Sequence, residues 1–150
     1  MIRFLDTEGN PYKIKNKRLL RKWLAEVAQS EGGLAIGEIN YIFCPAEYHR
    51  EINRQYLGHD YFTDIITFDD SELDEGYIAG DIFIDTETVA DNARIYGTEA
   101  RQELHRVVVH GTLHLCGQKD KNPKDEAEMH RKEDMYLARY EQIINENREK

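Results

Sequence analysis

Cysteine is nearly missing from this chain. Two occur in 150 residues, Cys44 and Cys116, and no Cys-x-x-Cys pair exists. That excludes a disulfide framework and a thiolate-built zinc site. A reducing, cytoplasmic setting is expected. Long apolar runs are missing too, so no segment reaches the roughly 20 residues a membrane helix needs and no membrane partner is expected. The opening Met-Ile-Arg-Phe-Leu-Asp lacks the apolar region of a signal peptide. Positive charge is scarce, with 20 Lys and Arg against 29 Asp and Glu and a net charge of −9. Such a chain is a poor general binder of phosphate backbones. No DNA contact is expected, and any RNA contact needs a local basic patch or a bound cation. No internal repeat or low-complexity tract is present. The length suits a single domain over residues 1–150.

Against these absences stands one chemically dense stretch, His110-Gly-Thr-Leu-His114-Leu-Cys-Gly117-Gln-Lys-Asp120. On a helix, residues four apart lie about 40° from each other on one face. Two imidazoles so placed can address one cation. Leu104, Val107, Val108, Gly111 and Leu115 give the same segment an apolar stripe, so it is expected to be a buried helix. Gly117 offers the turn that ends it. Beyond the turn Asp120 can return as a third ligand, with His130 as the rival from further along. Three protein donors with an open fourth position is the catalytic arrangement of zinc. The peptidase motif H-E-x-x-H has its base directly after the first His. Here that position is Gly111, so the peptidase base is lacking.

Elsewhere the pattern alternates strands and helices. Ile2 to Leu5 reads as a strand and Glu8 to Pro11 as a turn. From Asn16 a helix with Leu19, Leu20, Trp23, Leu24 and Val27 on one face runs to Gly32-Gly33. Lys17, Arg18, Arg21 and Lys22 on it, with Lys13 and Lys15 before it, form the largest basic cluster. They read either as a solvated face or as an RNA-backbone patch. Ile36 to Phe43 reads as a strand and Ala46 to Tyr56 as a short helix. Thr63 to Phe68 reads as a mostly buried strand, Asp69 to Gly76 as a loop and Tyr77 to Asp85 as another strand. Asp85-Thr86 caps a helix ended by Gly97, and Thr98 is expected to cap the metal helix. Asn122-Pro123 opens the last helix, which is expected to fray from Asn145.

The dense stretch resembles the signature H-G-x-L-H-L-x-G-x-D-H of the YbeY family of metal-dependent endoribonucleases, which act in ribosomal RNA maturation. His110, Gly111, Leu113, His114, Leu115 and Gly117 match it. The final D-H is Lys119-Asp120 here, so a carboxylate stands at the third ligand position. Asn53, Tyr56, Asp60 and Thr63-Asp64-Ile65-Ile66-Thr67-Phe68 are similar to a second family motif, and Gly80-Asp81-Ile82 to a third. Leu57 stands where the family commonly has an arginine, and Phe62 where it has a proline before the Thr.

The spacing and the resemblance together imply an α+β domain with a mixed sheet of about four strands and about five helices, the metal helix beneath the sheet. The resemblance implies an endoribonuclease of the ribosomal RNA maturation pathway, with ribosomal RNA and ribosomal particles as partners. His110, His114 and Asp120 are the expected catalytic and metal residues and zinc the expected ion, although a carboxylate also suits harder ions. Lys17, Arg18, Arg21 and Lys22 are the expected substrate contacts. The rivals are another zinc hydrolase of peptidase type and a non-catalytic ribosome-associated protein with a vestigial metal site. Glu103 is expected outside the ligand set, His49, His59 and His105 in no metal role, and Asp81 either in the cleft or at a strand edge.

Overall fold

The structure is a computed structural model, and it describes residues 1–7, 13–58 and 63–148. The expected turn at Glu8 to Pro11, and the positions of His59, Asp60 and Phe62, lie outside the described residues. Four strands form one mixed sheet: β1 (Ile2–Asp6), β2 (Ala35–Cys44), β3 (Ile65–Asp69) and β4 (Tyr77–Asp85). Their spatial order is β1-β2-β4-β3, with β1, β2 and β4 parallel and β3 antiparallel to β4. The helices are α1 (Lys17–Gly32), α2 (Ala46–Leu57), α3 (Thr86–Tyr96), α4 (Ala100–Leu115) and α5 (Pro123–Arg148). A short 3-10 turn spans Leu73–Glu75. The architecture is the α+β arrangement that the sequence implies.

One face of the sheet carries Ile39, Tyr41 and Phe43 from β2 and Ile78, Ile82 and Ile84 from β4, all fully buried. Side chains alternate along a strand, so these positions share a face. Helices α1, α4 and α5 supply the covering apolar residues, among them Leu20, Trp23, Val108, Leu113 and Ile143. Two buried polar contacts fix the layer spacing. Tyr41 Oη and Thr112 Oγ1 lie 2.6 Å apart, and Thr112 donates to the Val108 carbonyl at 2.9 Å, so the tyrosine hydroxyl is the donor between them. Trp23 Nε1 donates to the Tyr136 carbonyl at 2.8 Å, and the indole ring packs at 4.7 Å on Tyr140.

Helix α4 passes beneath β3 and β4. At Gly111 an added Cβ would lie 2.8 Å from Ile65 Cδ1 and 3.1 Å from Ile82 Cγ2. The helix therefore approaches the sheet as closely as it does only because this residue has no side chain.

Several boundaries differ from the sequence reading. β3 is half-buried, with only Ile66 fully inside, because it is one of the sheet's two outer strands and pairs with β4 alone. β-branched composition reports fitness for a strand, not the number of neighbours it gets. Thr98 does not cap α4. Its amide closes α3 by donating to the Ala93 carbonyl at 2.9 Å, and Glu99 takes the cap position without a side-chain bond. The end of α5 stays helical through Arg148, where Arg18 donates to Asn147 at 3.3 Å and Asn147 donates to the Ile143 carbonyl at 2.9 Å. The caps at Asp85 and Asn122 form as expected, accepting from Thr88 and Asp125.

Candidate metal centre

His110 and His114 sit one turn apart on the last part of α4. The chain then turns sharply. The Gly117 amide donates to the His114 carbonyl at 3.0 Å, and the Gln118 amide to that of Leu113 at 3.0 Å. Gly117 has a φ of 99°, which a residue with a side chain adopts only under strain. This return brings Asp120 back over the two imidazoles. His110 Nε2 and His114 Nε2 are 3.0 Å apart, and each is 3.3 Å from Asp120 Oδ2. A tetrahedral ion with bonds of about 2.0–2.1 Å needs donors about 3.3 Å apart. The triangle has the size that such an ion requires, and His110, His114 and Asp120 form a group able to hold one.

The outer nitrogens settle which lone pairs face inward. His114 Nδ1 lies 3.0 Å from the Gln118 carbonyl, an acceptor only, so Nδ1 carries the proton. His110 Nδ1 lies 2.6 Å from Glu133 Oε2. In the neutral imidazoles both Nε2 atoms are then bare acceptors pointing at one another and at a carboxylate. The Nε2–Nε2 approach is therefore not a hydrogen bond in that state. Three electron-rich atoms converging in this way call for a cation.

Glu133 is the residue that sequence reasoning missed. It is buried on α5, where it also accepts from Arg106 Nη1 at 2.9 Å. Burial pushes its carboxyl up, but the bonds from His110 and Arg106 outweigh that and hold it low. In return His110 is raised: burial opposes its charge, and the Glu133 bond and nearby carboxylates outweigh burial. His114 is lowered by burial and by its neighbour His110. A signal for Glu133 existed. Met129, Tyr136, Tyr140 and Ile143 mark the buried face of α5, and Glu133 interrupts that face with a charge. Its partner across the interface could not be read locally.

The turn is braced from outside. Lys132 Nζ lies 2.7 Å from Gln118 Oε1 and 2.6 Å from Glu31 Oε1, and Tyr136 donates to Glu31 Oε2 at 2.5 Å. Gln118, whose carbonyl orients His114, is thus anchored to α1 and α5.

The three donors open into a cleft of about 970 Å³. Asp64 lines it from the residue before β3, Asn53 from α2, Glu103 and Arg106 from α4, and Lys121 from the turn between α4 and α5. The Asp64 carboxyl is pushed up by burial, and Glu103 likewise. In the sequence Asp64 stands out only as part of a motif. Asp81 does not line the cleft, since it sits on central β4 and accepts from Asn40 at 2.9 Å. His130, the rival third ligand, has a side chain 73% exposed and sits 3.6 Å from Glu133, outside the donor triangle. His49 is buried 2.9 Å from the Phe83 carbonyl, and His105 packs edge-on against Trp23 and Tyr140. Lys17, Arg18, Arg21 and Lys22 are exposed on α1, and none lines the cleft. Arg21 lies over the Phe4 ring and donates to the Ile2 carbonyl at 3.0 Å.

Fold and site define an α+β protein with a one-sided His-His-Asp centre, the type that leaves a coordination position open to a ligand. The family model described as Endoribonuclease YbeY matches residues 4–141, and the chain belongs to that family. The Endoribonuclease YbeY of Porphyromonas gingivalis is 48% identical over 128 residues, covering 85% of this chain and 83% of the relative. That of Cytophaga hutchinsonii is 47% identical over 135 residues, covering 90% and 93%. A solution structure of a Thermotoga maritima protein superposes with a TM-score of 0.63 at 32% identity, covering 99% of this chain and 93% of that one.

Proposed function

We propose that this protein is a metal-dependent endoribonuclease that acts on ribosomal RNA in the cytoplasm, alone or within ribosomal particles. The observation that carries the metal part is the donor triangle, with edges of 3.0, 3.3 and 3.3 Å and both imidazoles locked with Nε2 inward. His110, His114 and Asp120 are the proposed ligands and zinc the proposed ion. When bound, the ion supplies Lewis acidity at a phosphoryl oxygen and lowers the pKa of a water. Glu133 and the Gln118 carbonyl hold the outer protons of the imidazoles and so keep both rings in the ligating tautomer. Lys121, exposed at the cleft, offers a cation to the RNA backbone. The α1 cations, outside the cleft, are proposed as a second contact for flanking backbone.

Peptidase action is disfavoured by packing. A glutamate at position 111 has no room, since even a Cβ would press on Ile65 and Ile82. The test is to strip the purified protein of metal, reload it with zinc or manganese singly, and offer structured ribosomal RNA and a peptide panel. Metal-restored RNA cleavage is expected. Peptide cleavage without RNA cleavage overturns the reading, as does RNA cleavage that persists in the stripped protein.

A further inference from the structure

Helices α2 and α3 both end at the mouth of the cleft, and each delivers a matched pair of side chains. On α2 the pair is Asn53 and Leu57, and on α3 it is Asn92 and Tyr96. All four line the cleft with His110 and His114. A four-residue spacing puts each pair on one face of its helix, with the amide one turn inside and the apolar group at the rim. Leu57 is 44% exposed and Tyr96 is 69% exposed. The Tyr96 ring has no hydrogen bond or ring contact among the described residues. Tyr56 is the contrast, packed edge-on at 5.9 Å against Phe68. Asn92 is half-buried, and its amide makes no hydrogen bond among the described residues. An amide and an exposed ring one helical turn apart on the same cleft wall suit a flat heterocycle: the ring takes its face, and the amide's donors and acceptor take its edge.

The charge of the cleft points the same way. Asp64, Glu103, Glu126 and Glu133 line it, while Arg106 is committed to Glu133 and Asp134. Few cations remain to track phosphates, so base contacts must carry a larger share of binding.

We propose that Tyr96, Asn92 and Leu57 form a subsite for one unpaired nucleobase of the RNA, with Tyr96 stacking on its face, Asn92 bonding its edge and Leu57 walling the far side. The subsite rests on the ribonuclease reading. The base must be unpaired, because a base inside a duplex offers no free face.

Filter binding of the full, metal-loaded chain tests this with two probes of equal length, a single-stranded oligoadenylate and an abasic ribose-phosphate chain. Stacking is worth about 1–3 kcal/mol, so Tyr96→Ala should weaken oligoadenylate binding roughly 5- to 150-fold and leave the abasic chain unchanged. Tyr96→Phe should bind as wild type does, and Asn92→Ala should weaken several-fold on oligoadenylate alone. The salt slope should stay the same in Tyr96→Ala, since every phosphate keeps its partner. If Tyr96→Ala binds oligoadenylate as tightly as wild type, or weakens equally on both probes, the subsite is overturned. A wild-type protein that retains neither probe overturns the ribonuclease reading and the subsite with it.

Discussion

Glu133 Oε2 lies 2.6 Å from His110 Nδ1, joining α5 to the metal helix across 23 residues of chain. The same carboxylate accepts from Arg106, so one buried group fixes an imidazole and a guanidinium together. Metal-binding histidines usually have such an outer partner, which sets tautomer and ring angle and raises ligand basicity.

Glu133→Gln should therefore weaken metal binding by roughly 10- to 100-fold while the fold survives, because Arg106 keeps Asp134 at 2.6 Å. Competition against a chelator measures the affinity, and circular dichroism the fold. Wild-type affinity in the variant would remove Glu133 from the site.

Asp120→Ala should cost far more affinity, since it deletes a donor, and should cost little stability because Asp120 lies in a turn beyond α4. Asp120→His should keep binding and move preference toward zinc, imidazole being the softer donor. His130→Ala should change little. An absence of metal in His130→Ala with retention in Asp120→Ala would transfer the third position to α5.

Gly111→Ala should destabilise the protein by about 1–3 kcal/mol through overpacking. The nearest clash is with Ile65 Cδ1, the end of a side chain, so adding Ile65→Val should recover part of that stability. Urea denaturation of the two single variants and the double variant gives the coupling. Simple additivity would mean that the clash is relieved elsewhere.

His105 sets a pH dependence of stability. Burial, helped by Arg101, lowers its pKa from 6.5 to about 4. The unfolded chain then binds more protons than the folded one between these values, so stability falls as pH drops through that window. The destabilisation from this group approaches about 3 kcal/mol near pH 4 and levels off below it. His105→Phe should flatten the slope of unfolding free energy against pH between 6.5 and 4. An unchanged slope would place the titration elsewhere.

Removing the α1 cations tests the second RNA contact. Lys17→Ala, Arg18→Ala and Lys22→Ala together should weaken RNA binding and reduce the salt slope by about 0.7 for each phosphate that these side chains neutralise. An unchanged slope would return that helix to solvated surface.

What could be read from the sequence was what is local in the chain. The two histidines are four residues apart, the Gly117 turn follows at once, and Asp120 lies within six residues of His114. Spacing alone carries that geometry. Glu133, Asn92 and Asp64 come from three other parts of the chain, and nothing in their own neighbourhoods places them in one cleft with the histidines. β3 illustrates the same limit. Its residues predict a strand, but its place at an edge of the sheet follows from how β1, β2 and β4 pair, which no single segment encodes.

Trp23 is the single tryptophan of the chain. It sits where α1, α4 and α5 meet, bonded to the Tyr136 carbonyl and in ring contact with Tyr140 and His105. Tyr136 and Tyr140 belong to the helix that carries Glu133. The protein thus contains a built-in optical reporter: its ultraviolet emission follows the seating of α5, and hence of the carboxylate that holds His110, with no label added.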